Sequence, residues 1–204
     1  MQPGRHVMTL VKSARGYSLL EVVFVAGLGI TLTAVAVPQY LAGVDDFRAS
    51  GAARYLSARL QRARMEAVMR STSVAMKFAE TPDGYSYTVY VDGNGNGVLT
   101  EDIQNGVDRR LNRAERLRDH FAGVEFGAVP GLPPIDPGST PPGTDPIRLG
   151  ISGLATFTAL GTSSSGTVYI RGRRDAQYAV RIFGDTGKTR LLKFVHRTGH
   201  WSPL

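Results

Sequence analysis

The 204 residues carry 24 Lys or Arg against 17 Asp or Glu, a formal charge of +7, with 42% hydrophobic and 20% charged residues. Such a composition belongs to a folded chain, and the length suits one compact domain plus one further element. With no cysteine, disulfide frameworks, thiol nucleophiles and thiolate metal sites are excluded.

Residues 1–16 contain Arg5, Lys12 and Arg15 and no acid, and predict a short basic leader without a fold of its own. Their removal would leave 188 of the 204 residues and lower the charge from +7 to +4. Then comes Gly16-Tyr17-Ser18-Leu19-Leu20-Glu21, followed by an uncharged run from Val22 through Pro38 to Val44. At about 1.5 Å per residue a helix from Tyr17 to Val44 spans roughly 42 Å, enough to cross a hydrocarbon core of about 30 Å. Basic residues ahead of the run predict a single-pass protein with the leader on the cytoplasmic side and the C-terminal domain on the other.

Glu21 is the anomaly in this run. A carboxylate at mid-bilayer costs about 2.5–3.5 kcal/mol on insertion scales, somewhat less near an interface, so it calls for a partner. A cut after Gly16 would give Tyr17 an α-amino cation, and Glu21 of a neighbouring copy could pair with it in an apolar filament core. A secretory signal would place its cut after the apolar stretch, whereas Gly16 precedes it. An ordinary single-pass anchor explains the hydrophobicity but neither Glu21 nor the glycine.

Lys12-Ser13-Ala14-Arg15-Gly16-Tyr17-Ser18-Leu19-Leu20-Glu21-Val22 resembles the processing site of type IV pilins and pseudopilins, with Tyr17 where Phe is common. The resemblance implies cleavage after Gly16 and methylation at Tyr17 by a prepilin peptidase. It also implies an assembly role for Glu21, and a kink at Pro38. The partners it implies are other pilins or pseudopilins in a filament, the inner-membrane assembly platform and the membrane lipid.

The helix is expected from about Ser18 to Ser71, bending near Pro38. Ala49, Ala53, Leu56, Leu60, Ala63 and Ala67 recur at steps of three and four, a stripe suited to packing on a sheet. Arg48, Arg54, Arg59, Arg62 and Arg70 occupy the other faces, which read as solvated or subunit-facing in preference to nucleic-acid binding. From Ser73 the period becomes two, and Ser73–Ala79 and Tyr85–Val91 predict a hairpin turning at Pro82-Asp83-Gly84. Short strands are expected at 107–112, 120–126, 147–151 and 154–158. An antiparallel meander is expected from 167–171, 178–183 and 189–196. Seven prolines between Pro130 and Pro146 predict a long surface loop that offers an assembly contact.

The helix-then-strands order, Val91-Asp92-Gly93-Asn94-Gly95-Asn96-Gly97 after a Tyr-rich strand, and Gly161 to Ile170 leading into a basic meander are similar to the GspH/FimT branch of the pseudopilins. The fold class implied is α+β and pilin-like: a long N-terminal helix, with a membrane half and an amphipathic half, packed on an antiparallel β-rich domain. The expected division is leader 1–16, membrane and filament-core helix 17–44, and globular domain 45–204.

Four constellations invite chemistry. Asp92, Asn94 and Asn96, with Gly97 in sixth place, follow the opening of an EF-hand loop, but Ile103 replaces the twelfth-place Glu and only Glu101 or Asp102 could compensate. A calcium site is one expectation there; a Gly/Asn turn is the simpler one. In the meander, Arg171, Arg173, Arg174, Arg181, Lys188, Arg190, Lys193 and Arg197 face only Asp175 and Asp185. Phosphate contact through Arg171, Arg173, Arg174 and Arg190, with Tyr169, Tyr178, Phe194 and Trp201 stacking on bases, is the alternative reading, a DNA-binding minor pilin, which some FimT relatives suggest. The bland reading is a cationic strand face that deters aggregation. Ser163-Ser164-Ser165 lacks a nucleophile elbow, and His196-x-x-x-His200 lacks the Glu of a zinc motif. The expectation is therefore a non-enzymatic minor pilin or pseudopilin of a type II secretion pseudopilus or type IV pilus.

Overall fold

The computed structural model describes residues 16–204, so the expected leader lies outside the described residues apart from Gly16. The chain divides into two units, residues 1–40 and 41–204. Helix α1 runs Leu19–Arg70 with Pro38 inside it and no interruption in its assignment. Ser71 ends it in the left-handed region, at φ 52°. Thr72 N–H reaches the Ala67 carbonyl and Ser71 N–H the Val68 carbonyl, each at 3.2 Å, the paired bonds of a Schellman stop.

In the second unit, α1 turns Ala49, Ala52, Ala53, Leu56, Leu60, Ala63 and Ala67 into the core. Five of these seven are alanines, so the helix lies close against what it covers. That covering is two antiparallel sheets. The first is ordered β3-β2-β1-β6, from β1 (Val74–Thr81), β2 (Gly84–Val91), β3 (Arg109–Arg110) and β6 (Leu154–Phe157). β1 and β2 pair from Val74↔Val91 to Thr81↔Gly84, leaving Pro82-Asp83 as a two-residue turn. Gly84 follows at φ +101°, a conformation that suits glycine.

The second sheet is ordered β10-β9-β8-β7-β4, from β4 (Glu125–Phe126), β7 (Gly166–Arg171), β8 (Gln177–Ile182), β9 (Thr189–Val195) and β10 (His200–Pro203), with β5 (Ile147–Arg148) also pairing with β7. Side chains alternate across it. Val168, Ile170, Tyr178, Val180 and Ile182 join the core under α1, while Tyr169, Ala179 and Leu192 face the opposite way.

That opposite face is covered by the proline-rich segment. Ala128 and Leu132 are buried against Tyr169, Ala179 and Leu192, with Ile135, Phe194 and Trp201 packed around them. Trp201 Nε1–H donates to the Pro133 carbonyl at 3.0 Å. The segment expected as a plain surface loop is therefore in part the lid of a second small core. Its prolines lack donors, but their carbonyls still accept.

Other expectations shift. The strand expected over 120–126 is a short helix α3 (Leu117–His120) and then β4, that over 107–112 shrinks to β3, and that over 147–151 to β5. A short helix α2 (Thr100–Gln104) and the last strand β10 were not expected.

Candidate functional site

The N-terminal constellation opens α1. Gly16 and Tyr17 precede the helix, Tyr17 is 81% exposed, and Glu21 lies in the first turn. Leu19, Leu20, Val22, Val23, Phe24 and Val25 are exposed beside it. Among the described residues this is the one helix long and apolar enough to cross a membrane, and its most apolar window buries nothing. Thr31 and Thr33 donate their hydroxyls to the Gly27 and Gly29 carbonyls at 2.8 and 2.7 Å. Those bonds hide the only hydroxyls between Val22 and Val37, as a hydrocarbon surrounding demands.

Immediately after the apolar run stand two acids, Asp45 and Asp46, that sequence reasoning passed over. Asp45, 8% exposed, accepts the backbone N–H groups of Arg173 (2.7 Å) and Arg174 (3.0 Å). Asp46 accepts the Tyr178 hydroxyl and the Lys193 ammonium, each at 2.8 Å. Burial, then the Asp46 contact, pushes the Tyr178 hydroxyl well above the ordinary phenol range. The two carboxylates thus pin the start of the globular half of α1 to the β7–β8 turn and to β9. Gly172 makes this approach feasible, since a Cβ there would lie 2.7 Å from both Asp45 oxygens.

A second clamp sits farther along the helix. Glu115 accepts hydrogen bonds from Tyr87 (2.6 Å), Tyr55 (2.9 Å) and Asn112 (3.0 Å), and pairs with Arg59. Burial alone would raise Glu115; the donors Tyr87, Asn112 and Tyr55 and the Arg59 charge outweigh it and hold the carboxyl below its usual value. The arginine series on α1 is therefore partly structural, with Arg59 spent on Glu115 and Arg70 on Glu66.

The glycine-asparagine loop closes on itself. Asp92 accepts the N–H groups of Asn94, Gly95 and Gly97, and Asp108 accepts those of Gly93 and Leu99. The Asn94 and Asn96 amides donate to Asp102 at 3.3 and 3.0 Å, so Asp92, Asn94, Asn96 and Asp102 do meet. Ile103, in the twelfth place, packs with Ala75, Val98 and Leu154, where calcium coordination would want a carboxylate. Among the described residues no group of three or more His, Cys, Asp or Glu side chains is placed to hold a metal ion. The donor set fits a hydrogen-bonded turn better than a calcium cage.

The four arginines expected to act together do not converge. Arg171, Arg173 and Arg174 line one cavity of about 620 Å³ with Arg118 and His196, whereas Arg190 stands opposite Arg181 and lines a separate cleft with Asp136. Three of the eight meander cations meet acids from outside the meander: Arg171 with Glu125 (2.5 Å), Arg181 with Asp136 (2.7 Å) and Lys193 with Asp46 (2.7 Å). Nor are the rings free to stack on bases. Tyr169 and Tyr178 are buried, and Phe194 and Trp201 pack on each other at 5.3 Å. Burial pushes the Tyr169 hydroxyl up to about 12. The DNA reading finds no support in this geometry.

Residues 52–186 match the family model described as type II transport protein GspH. The chain belongs to the GspH family. No curated protein and no solved structure matched the chain. Membership makes this GspH protein a minor pseudopilin of type II secretion, a structural subunit that associates with other pseudopilins. The match begins at Ala52, inside the half of α1 that packs on the sheets, and ends at Thr186, so it covers most of the core while leaving out Gly16, Tyr17 and Glu21.

Proposed function

We propose that this GspH protein is inserted in the inner membrane with its C-terminal domain in the periplasm and is cut after Gly16 by a prepilin peptidase. It then enters the pseudopilus with the apolar half of α1 in the filament core. The observation that carries this reading is the spacing of Gly16, Tyr17 and Glu21 at the mouth of a helix whose first, apolar stretch is exposed from Leu19 to Leu41. In the hydrocarbon Glu21 is costly alone; the new amine of a neighbouring copy's Tyr17, methylated or not, neutralises it. The helix then polymerises where an anchor would only tether. The inner-membrane assembly platform supplies the place where that exchange of partners occurs.

The test uses two substitutions in cells that carry the secretion machinery. Glu21→Val should leave membrane insertion and processing intact but abolish co-purification with the other pseudopilins. Gly16→Trp should leave the precursor uncut. Wild-type incorporation of Glu21→Val, or normal cutting of Gly16→Trp, would overturn the reading.

A further inference from the structure

The cavity lined by Arg118, Arg171, Arg173, Arg174 and His196 has no role in the assembly reading. It holds two acids, Glu125 and Asp175, against four arginines, and Glu125 is taken by Arg171. His196 Nε2 lies 2.7 Å from the Asp175 carbonyl oxygen. The remaining guanidinium groups of Arg118, Arg173 and Arg174 leave a net positive hollow. At about 620 Å³ it is far larger than a bound water, which takes roughly 30 Å³ in the liquid.

Its place along the chain matters as much as its charge. Helical rise from Glu21 to Val44 amounts to roughly 35 Å and uses up the hydrocarbon core of about 30 Å. Asp45, next in sequence, is the first charge after that run. Because Asp45 accepts the backbone N–H groups of Arg173 and Arg174, the rim of the cavity is tied to the residue that directly follows the apolar run. Phe47, two residues on, is an apolar ring left 81% exposed. A second hollow, lined by Ala42, Asp45, Asp46 and Lys193, shares Arg174, Asp175 and His196 with the first, so the two are contiguous, with the positive charge concentrated in the first.

We propose that this basic cavity binds the phosphate headgroup of an anionic membrane phospholipid and seats the domain on the bilayer before the subunit enters the filament. Arginine is suited to the task because its planar fork takes two phosphate oxygens at once. Attraction of this kind strengthens binding roughly fivefold per basic residue near an anionic surface. The inference rests on the membrane-anchored reading of α1.

The test is native mass spectrometry of the full chain extracted from membranes and exchanged into nanodiscs of mixed phosphatidylglycerol and phosphatidylcholine. Wild type should retain phosphatidylglycerol preferentially, including in inorganic phosphate buffer. Arg173→Gln/Arg174→Gln keeps the backbone bonds to Asp45, and its preference should fall roughly thirtyfold. Arg109→Gln/Arg110→Gln, with the same change of charge on the edge strand β3, should retain it. Equal retention of the two lipids by wild type, an unchanged preference in the first variant, an equal loss in the second, or displacement of the lipid by phosphate alone would overturn the proposal. Resistance of the chain to alkaline extraction from membranes is scored separately. Its failure would strike at the anchor, whereas intact anchoring without lipid preference would strike at the cavity alone.

Discussion

Gln177 is a fully buried amide: its oxygen accepts from Val129, and the two hydrogens of its nitrogen are shared among the Gly127, Ile170 and Tyr178 carbonyls. Gln177→Leu keeps the volume but strands those groups, and should lower unfolding free energy by about 2–4 kcal/mol in denaturant titrations. Ser71 holds a left-handed conformation that glycine adopts without strain; Ser71→Gly should therefore stabilise the domain, by about 1 kcal/mol, read as a higher Tm. Glu115 gives a pH signature. Its folded value is held below the unfolded one, so the stability it contributes is present above an unfolded value of about 4.3 and is lost as pH falls from there through the folded value. In Glu115→Gln that component should vanish, leaving a flatter acid limb in Tm plotted against pH. None of these roles was legible beforehand. Gln177, Ser71 and Glu115 sit in stretches whose local pattern says only strand end, helix end and loop, and their partners lie far along the chain or depend on backbone angles.

Elements were legible wherever one face is buried and the other wet. The six positions of the helical stripe are all buried, and the β1–β2 hairpin and the β7–β8–β9 meander stand where period two predicts them. Legibility failed for the shortest pieces. β3, β4 and β5 have two residues each, too few to show a period, and β10 ends at Pro203, which argues against a strand. The proline-rich segment misled for a different reason: its anchors, Leu132 and Ile135, are scattered among residues that signal a loop. The Asp45–Asp46 pin connects α1 to the second sheet, and Asp45→Ala should cost about 2 kcal/mol or more, because two backbone N–H groups lose a charged acceptor. Gly172→Ala should destabilise through the same contact, by crowding the carboxylate. For the glycine-asparagine loop, the hydrogen-bond pattern around Asp92 and Asp108 predicts that calcium addition or chelation leaves the Tm unchanged; a calcium-dependent rise would restore the cage reading.

At the scale of the whole molecule, one physical division organises everything: an apolar helical stretch with every side chain outward, and a domain whose sheets are covered on the faces the helix and the proline-rich segment reach. The domain places the chain in the GspH family; the exposed stretch is what the assembly account explains. In the proposed assembly Gly16, Tyr17 and Glu21 would act through a spacing along the chain and a partner in another copy, which a single folded chain does not contain. The basic meander shows the reverse: charge counted along the sequence overstated a surface that folding pairs with Glu125, Asp136 and Asp46. The account stands or falls on a new amine at Tyr17. An intact mass of the protein extracted from membranes of cells that possess the peptidase measures it directly: the account predicts a chain lacking residues 1–16, with or without one added methyl, and recovery of the uncut chain from those membranes would contradict it.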